Sequence, residues 1–131
     1  MRDLCSYDYA IVRVVPRVER EEFVNVGVIV SCPTLAFLDA RIELDEQRLR
    51  ALAGDIDLES LRANLASIPT ICAGGPQAGP IGRLAPRERF HWLVAPRSTM
   101  IQMSPVHAGR TRDPAQALDH LVRTMVRTAS A

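Results

Sequence analysis

The chain has 131 residues, 47% of them apolar, and a formal net charge of +1. A domain of this length buries roughly two thirds of its unfolded surface, which excludes disorder throughout. The near-neutral balance argues against a protein built to coat nucleic acid, which carries a clear basic excess. We read residues 1–131 as one domain.

Tyr7 to Val15 alternates and is rich in β-forming residues, which predicts a strand that Pro16 ends. The charged run Arg17 to Glu22 predicts a turn. Phe23 to Cys32 carries the clearest strand pattern. Val24, Val26, Val28, Val30 and Cys32 recur at period two on one face, and Phe23, Asn25, Gly27 and Ile29 fall on the other. A glycine inside such a strand marks a bulge or a close backbone approach. Pro33-Thr34 turns the chain into a third strand, Leu35 to Glu43. The short connections make an antiparallel meander.

The period then becomes helical. Asp45 caps a short helix through Ala53 that Gly54 closes, and Asp57 caps a second, with Leu58, Leu61, Leu65 and Ile68 on one stripe. Pro69 is expected to kink or end it. Ala73 to Pro80 is a loop by composition. Pro86 can open a helix through Phe90, Leu93 and Val94, but Phe90 to Val94 reads equally well as a strand, so residues 86–95 stay open between the two. Met100 to His107 predicts a fourth strand, broken late by Pro105, and Gly109 to Arg112 a turn. Asp113-Pro114 starts a last helix, with Leu118, Leu121, Val122 and Met125 on its apolar face. The order predicts an α+β fold: an antiparallel sheet of about four strands, a three-stranded N-terminal meander plus a later strand, with helices packed on one face and the valine row turned toward them.

Cys5, Cys32 and Cys72 are odd in number and lie far apart, which fits reduced thiols better than disulfides or a zinc site. The N-terminus has no signal-peptide core, and no apolar run approaches the ~20 residues of a membrane span. The expected location is therefore the cytoplasm. Gly74 and Gly79 have the spacing of a phosphate loop, but Pro80 and Ile81 stand where Lys and Ser or Thr are required. Asp55, Asp57 and Glu59 lie where a helix begins and suit its first turn. His91, His107 and His120 show no ligand spacing. No cofactor is implied, and no nucleophile, base and metal arrangement for catalysis can be read.

The polar density is highest over residues 87–107. Arg89, His91, Arg97, Ser98 and His107 are of the types that gather phosphate or carboxylate oxygens, and Phe90 and Trp92 can supply a wall. Asn25 is a further candidate contact, and Glu22 or His91 a candidate proton carrier. The same segment also reads as a helix-to-strand turn capped by Ser98 and Thr99, with solvated arginines and core aromatics. Asn25 also reads as an amide satisfying nearby sheet backbone.

Tyr7-Asp8-Tyr9-Ala10-Ile11-Val12-Arg13 and Glu22-Phe23-Val24-Asn25-Val26-Gly27-Val28-Ile29 resemble the bacterial domain-of-unknown-function family 3037. Trp92 to Thr99 and Ser104-Pro105-Val106-His107 resemble its actinobacterial-type members. The resemblance implies no activity and no catalytic residues. It implies a possible protein partner, a kinase resembling HipA, beside which some relatives are encoded. Two functions follow as expectations: a non-catalytic accessory or binding module acting with a protein partner, or a small enzyme or binder of an anionic metabolite or single-stranded nucleic acid that uses segment 87–107.

Overall fold

The computed structural model describes residues 3–98 and 100–127; Thr99 of the polar segment lies outside them. Five strands form one antiparallel sheet: β1 (Cys5–Val14), β2 (Val24–Cys32), β3 (Phe37–Ile42), β4 (Ile101–Met103) and β5 (His107–Thr111). The order is β3-β2-β1, and β4 and β5 then share the far side of β1. The α+β class and the N-terminal meander are as expected. The helices are α1 (Glu46–Leu52), α2 (Leu58–Ala73), α3 (Pro86–Val94) and α4 (Pro114–Leu121). Asp45, Asp57 and Asp113 cap α1, α2 and α4 by accepting backbone N–H groups of their first turns. Residues 86–94 resolve as helix, with Phe90 and Leu93 buried.

The valine row of β2 does not stay on one face. Val12 pairs with Gly27 but Arg13 pairs with Asn25, so Val26 is an extra residue in the β2 strand. This bulge carries the alternation across the sheet. Val24, Val26 and Ile29 join Val12 and Val14 in one core, whereas Val28 and Val30 face the other. Both faces are therefore apolar and both need cover. Helices α1, α2 and α3 supply Leu49, Leu61, Leu65, Ile68, Phe90 and Leu93 to the first core. The last helix takes the opposite face, with Leu118 and Leu121 followed by Val122 and Val126 of a π-helical turn. Gly27 lets β3 approach: a Cβ there would lie 2.6 Å from Ile42 Cδ1 and 2.7 Å from the Arg41 carbonyl oxygen.

Three local expectations change. The fourth strand is two short ones, interrupted at Ser104. The buried Ser104 hydroxyl accepts the Ile11 N–H at 2.8 Å and donates to the Pro105 carbonyl at 2.9 Å, so it stands in where the ladder stops. Gly109 to Arg112 is no turn, because β5 runs through Thr111; Gly109 makes room for the Tyr7 ring, 2.6 Å from where a Cβ would sit. Helix α2 continues past Pro69 to Ala73. A proline removes one helical hydrogen bond, and Ile68, Ile71 and Cys72 remain buried around it. Met125, expected on the apolar face, is 40% exposed.

Candidate functional site

The connection from α3 to β4 builds a rim. Arg97 turns back along α3, donating to the carbonyls of Trp92 and Leu93, with its guanidinium 3.6 Å from the centre of the Trp92 ring. It thereby caps the carbonyls of the last helical turn, where the Trp92 carbonyl also accepts the Ala95 N–H at 3.4 Å, and burial lowers its pKa from the ordinary arginine value. The Ser98 hydroxyl accepts the N–H groups of Met100 and Ile101 at 3.1 and 3.2 Å and starts β4.

Between this rim and α2 lies a groove of about 590 Å³. Ile68, Ile71, Leu93 and Met103 give it an apolar floor, and Trp92 also lines it. Asn64 and Ser67 of α2 line it together with Arg97 and Ser98. All three residues of β4 line it, Ile101, Gln102 and Met103. Successive strand residues point to opposite faces, so the groove runs along the edge of β4 and not over one face. A hollow of about 280 Å³ shares Asn64, Ser98 and Ile101 with it and continues toward Met100 and Asp57. Arg97 is the only charged side chain among the described residues lining the main groove.

Of the candidate residues only Arg97 and Ser98 belong to this groove. Arg89 is buried and donates to the carbonyls of Leu84 and Cys72, joining α3 to the end of α2. His91 is exposed on α3. His107 pairs with Tyr9 across β1 and β5 and stacks on its ring at 5.3 Å, on the α4 side of the sheet. The sheet thus separates His107 from Arg97. Asn25 also faces that side, where its amide nitrogen donates to the carbonyl of Met125 in the π-helical turn after α4, at 3.0 Å. Glu22 is paired with Arg20 in the turn before β2. Arg87 spans the Asp8 carboxylate and the Ser31 hydroxyl at 2.7 and 3.1 Å and ties α3 to the sheet. The contribution of Asn64, Ser67 and Ile71 of α2 was not read from the sequence. Its signal is there: Ile71 continues the stripe of Leu61, Leu65 and Ile68 by one more step.

The burial of Cys72 raises its thiol pKa to about 12, which makes it a packing residue and not a nucleophile. The described residues contain no group of three or more His, Cys, Asp or Glu placed to hold a metal ion. None of their helices is long and apolar enough to cross a membrane.

The family model described as "Protein of unknown function (DUF3037)" matches residues 9–126. The chain belongs to the DUF3037 family. The match spans nearly the whole chain, including β1 from Tyr9 onward, β2 to β5, α1 to α4 and every residue of the groove. No curated protein and no solved structure matches this DUF3037 chain.

Proposed function

We propose that this DUF3037 chain is a non-catalytic binding module, a single cytoplasmic domain whose α2–α3–β4 groove receives a segment of a partner protein. The observation that carries the reading is the lining of the groove. An apolar floor with a polar rim is the anatomy of a protein–protein contact, and the lining holds one cation and no acid to pair with a base. The HipA-like kinase implied by the family resemblance is the candidate partner. The alternative, a binder of an anionic metabolite or single-stranded nucleic acid, draws on Arg97 alone among the cations of segment 87–107 at this groove, and is the weaker reading.

The test is selection of displayed random linear nonapeptides on the wild-type chain and on Ser67→Arg. Ser67 is exposed on α2, where arginine is a good helix former, so the variant fills the groove without unfolding the chain. Peptides retained by the wild type and lost on Ser67→Arg support the reading. An empty selection, or one indifferent to the variant, overturns it.

A further inference from the structure

The two edges of the sheet are finished differently. In the β2–β3 ladder the Glu43 N–H bonds the Val26 carbonyl, so with the observed register the backbone groups of Leu38, Ala40 and Ile42 point outward. The Asp39 carboxylate folds back and accepts the outward Ala40 N–H at 2.8 Å, a charge placed on an edge in the way that discourages pairing. Among the described residues no side chain blocks the β4 edge at Met103 in this way. There the Val15 N–H bonds the Met100 carbonyl and the Ser104 N–H bonds the Ile11 carbonyl. With Val12 opposite Met103 and Val14 opposite Ile101, the backbone groups of Ile101 and Met103 point away from the sheet. Ser98 takes the Ile101 N–H. The Met103 N–H and carbonyl and the Ile101 carbonyl have no partner among the described residues.

These open groups border the groove described above. We infer that the partner segment binds as an added β-strand, pairing with the outward backbone of Met103 and Ile101, placing an apolar side chain on the Ile68–Ile71 floor and an acidic one against Arg97. This rests on the binding-module reading and specifies its occupant. Strand addition takes its affinity from main-chain hydrogen bonds and its specificity from pockets for alternate side chains. The groove meets both needs: it follows the strand edge, and its length is extended by the hollow toward Met100. The charge requirement follows from Arg97, the sole charged group among the described residues lining the main groove, Asp57 lying in the extension.

Met103→Pro tests the pairing from the protein side. Proline removes only an N–H that points outward, which an edge strand tolerates. Met103→Ala removes the side chain and keeps the N–H. The probe is the nonapeptide retained in the selection above, with Kd followed by calorimetry and folding by the urea midpoint. Met103→Pro, folded, should bind about tenfold more weakly than Met103→Ala. One N-methyl group on the pairing amide of the peptide should cost a similar factor. Changing its acidic residue to the amide should weaken binding about threefold and remove its salt dependence. If the nonapeptide binds, but Met103→Pro matches Met103→Ala and N-methylation is tolerated throughout, strand addition is overturned while the binding-module reading stands. If no peptide is retained, both fail.

Discussion

Replacing Gly27 with alanine tests the packing of the bulge most sharply. The added methyl would lie 2.6 Å from Ile42 Cδ1 and 2.7 Å from the Arg41 carbonyl oxygen. Side-chain rotation can relieve the first contact. The second is with backbone held in the β2–β3 ladder, so β3 itself must shift. Overpacking of this kind costs about 1–3 kcal/mol, and the backbone contact places Gly27→Ala near 2 kcal/mol. Unfolding entropy of about 2.1 cal/mol/K per residue over 131 residues converts that to a Tm lowered by about 7 °C. Gly54→Ala is the control. Its nearest neighbour would be the Arg50 carbonyl oxygen at 3.9 Å, so alanine should be neutral or stabilise by up to about 1 kcal/mol through the unfolded chain. Thermal and urea unfolding of both variants decide the matter. If Gly27→Ala is as benign as Gly54→Ala, close approach of β3 is not what glycine provides there.

Ser104→Ala should cost about 1–3 kcal/mol, because it leaves the buried Ile11 N–H without its acceptor; urea unfolding reads this, and an unchanged midpoint would refute the role given to the hydroxyl. Stability should fall in acid. Glu43 is held below the usual carboxylate range by its two 2.8 Å bonds with Arg127, and Asp119 likewise by Arg41. Since the folded pKa values lie below the unfolded ones, this contribution is present above the unfolded carboxylate pKa and is lost as pH falls through the folded values. Urea midpoints taken from neutral pH into acid should show a shallower decline for Glu43→Gln than for wild type, and parallel declines would contradict the assignment. Among the thiols, half-exposed Cys5 should react with an aromatic disulfide reagent at about pH 8 in the native chain. Buried Cys32 and Cys72 should react only on unfolding; three fast equivalents would show the core to be open.

The meander was legible because period-two alternation is a local property of each strand, and the helix starts because Asp45, Asp57 and Asp113 are local caps. The bulge was legible only as a suspicion at Gly27. Which face each valine meets depends on the pairing of Arg13 with Asn25, a relation between two strands that neither sequence segment carries alone. That one register step moves Val28 and Val30 to the far face and gives α4 its own core. Gly109 looked like a turn because its real reason, space for the Tyr7 ring, lies across the sheet. The polar density of residues 87–107 located the rim of the groove but not its members. Arg89, His91 and His107 share composition with Arg97, yet their directions are set by the pitch of α3 and the pairing of β5. Arg89 ends on the carbonyls of Leu84 and Cys72, partners that local spacing does not single out.

Trp92 is the only tryptophan in the chain and lines the groove, so its emission reports occupancy without a label. Titration with the selected nonapeptide should give a saturable change in Trp92 emission on the wild-type chain and none on Ser67→Arg. Ligands that bind both proteins equally by calorimetry while leaving that emission unmoved would show that the partner docks elsewhere.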